Sequence, residues 1–232
     1  MQKKRILVIL LSIMLICCTF FIAGCDVTGE KVLIEKETGL AFKLNETKDA
    51  YILTGIGNCT DTEIIIPSVY RNLPVTSIGK RAFYDCSSLT SIEIPSSVTS
   101  IGDYAFAWNS ALKLIEIPDS LTSISEGTFF NCKSLASIII PRSVTAINSK
   151  AFSYCEVLTG IEMLGDVTSI GEEAFSYCRS LRSVMIPDSV INMGGDAFLS
   201  CDSLTISCEI DSKPSGWDSS WNCSNCPVIW GK

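Results

Sequence analysis

The chain has 232 residues, of which 47% are apolar and 19% charged, with 25 acidic against 18 basic side chains and no histidine. Its formal charge of −7 and the lack of any clustered basic surface argue against nucleic acid as a partner, because phosphate binding needs such a surface. The absence of histidine removes Ser-His and Cys-His nucleophile pairs, histidine-ligated zinc and the commonest general base.

In chain order, Lys3-Lys4-Arg5 forms a basic start, Ile6 to Phe21 an apolar run, and Ile22-Ala23-Gly24-Cys25 has the form of a bacterial lipoprotein box. Small residues at Ala23 and Gly24 admit the chain to a peptidase cleft, and Cys25 supplies the thiol that receives diacylglycerol. The competing reading is an uncleaved transmembrane anchor, since the run is close to the ~17-residue minimum for spanning. Residues 1–24 are therefore expected to be a signal peptide, and 25–39 a lipidated N-terminus and polar tether. The mature chain then carries 15 basic against 25 acidic residues, a charge of −10. Two acyl chains, at about 0.8 kcal/mol per buried methylene, give lasting attachment where one does not.

Residues 40–74 are expected to form an N-terminal cap and an incomplete first repeat. Ala41-Phe42-Lys43-Leu44 and Ala50-Tyr51-Ile52-Leu53 are strand-like runs around a polar five-residue loop, a hairpin pattern. Glu63-Ile64-Ile65-Ile66-Pro67 reads as the strand of the incomplete repeat.

From Val75 a 23-residue unit recurs six times without insertion, starting at Val75, Val98, Leu121, Val144, Val167 and Val190. Such strict periodicity marks a solenoid, in which each unit buries its apolar face only against its neighbours. The phenylalanine column (Phe83, Phe106, Phe129, Phe152, Phe175, Phe198) and the leucine column (Leu89, Leu112, Leu135, Leu158, Leu181, Leu204) are complete. Ile92 and Ile94 around Glu93 have the period of a strand, whereas Ala82-Phe83 with Cys86 has helical spacing. The expected class is thus α/β, each coil holding one strand and a short helix. Gly79, Gly102, Gly171 and Gly194 precede the expected helix, where a positive φ suits glycine. Pro95, Pro118, Pro141 and Pro187 end strand pairing.

The motif Ile-Gly-x-x-Ala-Phe-x-x-Cys-x-x-Leu-x-x-Ile-x-Ile-Pro resembles the BspA-like, or Treponema pallidum type, leucine-rich repeat of bacterial surface proteins. The resemblance covers residues 75–210 and implies a solenoid with a parallel sheet on its concave face and short helices on its convex face. It also implies macromolecular binding, with no shared catalytic activity and no cofactor. The segment from Cys208 through Trp217 to Trp230 is similar to the C-terminal endings of that family, and 211–232 is expected to be the C-terminal cap.

Nine cysteines follow Cys25. Cys86, Cys132, Cys155, Cys178 and Cys201 share one repeat column, with Asn109 in the sixth copy. Equivalent side chains in a stack point the same way, which favours core packing of free thiols over pairing. Cys208 and Cys226 are expected to form a disulfide tying down the C-terminal cap, worth about 3 kcal/mol. Three thiols without histidine fall short of a structural zinc site, so no metal is expected.

The outward-facing strand residues Ser91, Glu93, Leu114, Glu116, Ser137, Ile139, Gly160, Glu162, Ser183 and Met185 vary in type while the core columns do not. Of these Ser91, Glu93, Leu114, Glu116, Ser137, Ile139, Glu162 and Met185 are the candidate binding surface, suited to a basic or amphipathic partner. The expected function is a cell-surface lipoprotein, anchored in the membrane through its lipid, that binds a protein or glycan on host or bacterial surfaces. Two rivals stand beside it: a carbohydrate-binding or carbohydrate-active protein using paired Glu93 and Glu116, and a passive envelope spacer. Oligomeric state is not legible in the sequence.

Overall fold

In the computed structural model the described residues are 23–25, 31–35, 38–57 and 60–232. The apolar leader at residues 6–21, residues 26–30, 36 and 37 of the tether, and Cys59 lie outside them. Among the described residues no helix is long and apolar enough to cross a membrane.

The N-terminal part is a run of strands: β1 (Ala23–Cys25), β2 (Lys31–Ile34), β3 (Ala41–Leu44), β4 (Tyr51–Gly55), β5 (Glu63–Ile65), β6 (Val69–Tyr70) and β7 (Leu73–Ile78). β3 and β4 make the antiparallel hairpin that the alternating runs imply, and β4 then pairs in parallel with β7. Phe42, Tyr51 and Tyr70 pack against each other beneath it, with Phe42 and Tyr70 stacked at 4.4 Å. One expectation is corrected here. Lys31–Ile34, expected to belong to a polar tether, is a strand antiparallel to β3 with Leu33 buried, because Val32-Leu33-Ile34 is apolar enough to extend the hairpin sheet.

Each repeat is a flattened coil with a strand on two faces. The expected strands are present: β5 pairs in parallel with Ser91–Glu93, and that strand with Leu114–Ile115. Beyond a break, Ser137–Ile140, Gly160–Met163, Ser183–Ile186, Thr205–Cys208 and Val228–Ile229 continue the same face in parallel. A second face, which periodicity does not reveal, is built from β7 with Ser100–Ile101 and from Ser123–Ile124, Ala146–Ile147, Ser169–Ile170 and Asn192–Met193. Its Thr-Ser pairs do not alternate in polarity, so a period-two search passes over them. Threonine hydroxyls brace it by donating to the threonine carbonyl one coil back, as Thr99 does to Thr76 and Thr168 to Thr145.

The predicted short helices are absent: among the described residues there is none. The segment after each glycine is a string of turns whose amides alternate in direction. Ala82, Tyr84 and Cys86 donate to the residue three back, while Arg81, Phe83 and Asp85 donate to Asp103, Ala105 and Ala107 of the next coil at 2.8–3.0 Å. The same ladder links every later pair of coils. The alternation requires two left-handed residues per coil, for example Arg81 (φ 57°) and Asp85 (φ 58°), then Tyr104 (56°) and Trp108 (67°). That conformation costs a non-glycine residue about 1–2 kcal/mol, and the ladder between coils offsets it. Helix is excluded by space, since consecutive phenylalanine rings stack 5.2–5.7 Å apart and an α-helix is about 10 Å wide.

The glycine column also has a different cause from the one expected. Gly79, Gly102, Gly171 and Gly194 are not among the positive-φ residues. They admit close approach of coils: a Cβ on Gly102, Gly171 or Gly194 would lie 2.3–2.5 Å from a backbone nitrogen of the coil before. Where Ser125 breaks the column, its hydroxyl reaches the Ile101 carbonyl, the acceptor position that backbone amides fill elsewhere, as Gly102 does at Ile78. The prolines open turns, with Pro95, Pro118, Pro141 and Pro187 each accepting from the amide three residues on.

One core runs the length of the stack. All six phenylalanines of the column are fully buried, each worth about 1.5–3 kcal/mol in burial alone. Phe129→Ala should destabilise the protein by about 3–5 kcal/mol, the transfer loss plus a mid-stack cavity. Denaturant unfolding checks this, and a loss under about 1 kcal/mol would remove the column from the core.

Candidate functional site

The two rows expected to face outward do so. One row runs Glu63, Ser91, Leu114, and then Ser137, Gly160, Ser183, Thr205. The other holds Ile65 opposite Glu93, Glu116 just past its strand, Ile139 opposite Glu162, and Met185 opposite Ser207 and then Ile229. Between them Ile64, Ile92, Ile115, Ile138, Ile161, Val184 and Ile206 point into the core, so the pleat fixes the sorting. Leu114 is 59% exposed, Ile139 54% and Met185 45%. Ile65, at 64%, extends the row by one coil beyond the residues chosen from the sequence, and Ile229 adds another at the far end.

Among the described residues no ion pair engages the glutamates of this face. The described ion pairs, Lys80–Asp103, Lys133–Glu156 and Lys150–Glu173, all sit on the turn flank. Glu93, Glu116 and Glu162 are exposed and belong to none of these pairs, and the register of Ile92 with Ile115 sets Glu93 beside Glu116. The face is an open sheet surface, and the cavity described lies elsewhere, at the N-terminal end between Ile56, Ile64, Asp85 and Leu89. Among the described residues no group of three or more carboxylates or thiols is placed to hold a metal.

The cysteine column has a function that sequence reasoning missed. Four of its five thiols donate to the phenylalanine carbonyl of the coil before: Cys132 to Phe106, Cys155 to Phe129, Cys178 to Phe152 and Cys201 to Phe175, at 3.1–3.2 Å. Asn109 belongs there for the same reason, its Nδ2 donating to Phe83 and Phe106 at 2.8 and 2.7 Å. Burial pushes the Cys132 and Cys201 thiols up to about 12 and those of Cys155 and Cys178 well above the ordinary range.

Cys208 and Cys226 do not form the expected disulfide; both are free thiols. Ile206 pairs with Val228, which sets Cys226 level with Leu204, four residues from Cys208 along the strand. That offset is about 13 Å, beyond the reach of a disulfide, and Cys226 instead points at the Cys201 carbonyl. The C-terminal end is closed by aromatics. Trp217 and Trp221 are buried, Trp221 meets Phe198 edge-on at 6.3 Å, and the Trp217 indole donates to the Val190 carbonyl.

A family model for the BspA type leucine rich repeat region matches residues 76–205 in six copies. A leucine-rich repeat protein of T. pallidum superposes with a TM-score of 0.50 at 27% identity, covering 82% of this chain and 78% of that one. One from Eubacterium ventriosum superposes with a TM-score of 0.58 at 22% identity, and this chain, 82% covered, spans 53% of its length. No curated protein matches.

The thiol geometry makes two outcomes testable. In native protein at pH 8 a thiol reagent should, among the described thiols, label exposed Cys223 first and leave Cys132, Cys155, Cys178 and Cys201 untouched until denaturant is added, while reductant leaves the melting temperature unchanged. The buried thiols keep their protons in the folded state and lose them near pH 9 in the unfolded chain. Their contribution is therefore complete below about pH 9 and should decline between pH 9 and 12, readable as a falling denaturation midpoint.

Proposed function

The chain belongs to the BspA-type leucine-rich repeat family, and from that premise we propose that it is a membrane-anchored surface protein whose outer sheet face binds a basic, apolar-studded protein on a host or neighbouring cell. Leucine-rich repeat scaffolds present a broad face to macromolecules. The observation that carries the reading is the mixture on one face of three unpaired glutamates with exposed Leu114, Ile139 and Met185. Exposed apolar residues in a row mark an interaction patch, and unpaired charge of one sign selects a partner of the other. Rows of this kind suit an amphipathic helix laid along the stack, because its pitch of 5.4 Å is close to the ~4.8 Å step between strands.

The lipid anchor rests on Lys3-Lys4-Arg5, the apolar run and Ala23-Gly24-Cys25. Cys25 lies on β1, antiparallel to Lys31 of β2 at the outer edge of the hairpin sheet. Acylation there attaches the solenoid by its N-terminal end, with only residues 26–30 between the lipidated residue and the first packed strand, so the coils project away from the membrane in order.

Two measurements test these points. Replacing Glu93, Glu116 and Glu162 by glutamine together should weaken binding of a Lys/Leu amphipathic helical peptide at least tenfold, about 1.4 kcal/mol, and remove the salt dependence that the unaltered protein shows. Unchanged affinity would refute the face, and loss of a glycan-hydrolysing turnover would favour the enzyme instead. Cys25→Ser should shift the protein from the membrane to the soluble fraction and abolish incorporation of labelled fatty acid; retention in the membrane would point to the apolar run as a spanning anchor.

A further inference from the structure

The turn flank carries a second surface, made of aromatic side chains that the repeat itself does not demand. Tyr84, Tyr104, Trp108, Phe130, Tyr154 and Tyr177 stand on five consecutive coils, at three repeat positions: that of Tyr104 is filled elsewhere by Arg81, Gly127, Lys150 or Glu173, and the other two by Asp85, Ala107, Asn131, Ser153 or Ser176. Their rings form one chain of contacts. Arg81 lies over both Tyr84 (5.2 Å) and Tyr104 (5.9 Å); Tyr104 and Trp108 meet Phe130 at 6.2 and 6.1 Å; Phe130 meets Tyr154 at 5.5 Å, and Tyr154 stacks on Tyr177 at 4.3 Å. Tyr84 and Trp108 are 41% and 44% exposed. Gly127 makes the junction possible: its φ is +56°, and a Cβ there would lie 2.3 Å from the Tyr104 ring. The glycine lets that ring settle over the next coil and reach Phe130.

Charge and hydrogen bonding select the ligand. Ion pairs along the flank are closed on themselves, Lys80 with Asp103, Lys133 with Glu156 and Lys150 with Glu173, and the Tyr104 hydroxyl donates to Glu126. The charges that touch the rings themselves, Arg81 over Tyr84 and Tyr104 and Glu126 at the Tyr104 hydroxyl, are one of each sign, so the band carries no cluster of like charge. Backbone amides of the flank are engaged in turns and in the ladder between coils, which leaves no sheet edge for an added peptide strand. What the band offers is ring surface with phenolic hydroxyls at its border, in a row that crosses four coil-to-coil steps of 5.2–5.7 Å, roughly 22 Å in all. Pyranose rings have apolar C–H faces edged by hydroxyls, and a β-linked chain of them runs straight. We propose that this aromatic band is a second binding surface, for a neutral, extended, β-linked polysaccharide, independent of the acidic sheet face.

The test uses the full chain in a sugar-free detergent, run on native gels cast with β-1,3-glucan or β-1,4-glucan and read as retardation. At least one of the two glucans should retard the protein. Trp108→Ala combined with Tyr84→Ala should raise the apparent dissociation constant at least tenfold, and Trp108→Phe should restore most of the binding. The triple glutamine variant of Glu93, Glu116 and Glu162 should bind the glucan as the unaltered protein does. Melting temperatures confirm folding, and if the double variant melts early, the single Trp108→Gln at its exposed position carries the comparison. Absence of retardation by both glucans, or undiminished retardation of a folded Trp108 variant, overturns the proposal; in the first case a peptide that still binds the sheet face leaves that reading standing.

Discussion

The whole molecule depends on the distance between adjacent coils. Parallel strands fix it at ~4.8 Å on two faces, and the phenylalanine spine follows at 5.2–5.7 Å. Everything on the third face must fit within that interval. An α-helix does not, so the chain there takes alternating turns, accepts two left-handed residues per coil and sends every second amide to its neighbour. The thiol column answers the same constraint, since a cysteine side chain is short enough to stay in the core and still donate to the phenylalanine carbonyl of the coil before.

That close spacing makes the surface a set of ladders. Any residue type repeated at one position becomes a continuous row, and any variation becomes a local mark on it. Threonine rows brace the second sheet. Variable rows of glutamate and aliphatic residues on the first sheet, and of tyrosine, tryptophan and phenylalanine on the flank, are where the chain departs from what stacking requires. These departures give two surfaces of different character, one acidic and apolar, the other aromatic, on a frame that is otherwise uniform.

Both ends of the stack are sealed, and by different means. The N-terminal end changes pairing from parallel to antiparallel, so that β3, β2 and β1 cover the first coil on one face, with Phe42, Tyr51 and Tyr70 as the plug. The C-terminal end keeps its strands parallel and closes with Trp217 and Trp221 against Phe198. No disulfide between Cys208 and Cys226 contributes, because pairing of Ile206 with Val228 carries Cys226 away from Cys208.

Periodicity alone determined the solenoid, its repeat boundaries, the buried columns and the row of outward-facing residues from Ser91 to Met185. These follow from identity at fixed intervals, which is visible in one dimension. Three things were settled only by the stack in three dimensions. Ala82-Phe83 with Cys86 has helical spacing, yet the neighbouring coil lies too near for a helix. Gly102, Gly171 and Gly194 look like positive-φ residues but serve close backbone approach. The aromatic band joins positions 84, 104, 108, 130, 154 and 177, which occupy different places in their repeats. They meet only because side chains lean across coils, and that lean depends on Gly127 and on the ladder of hydrogen bonds beneath it.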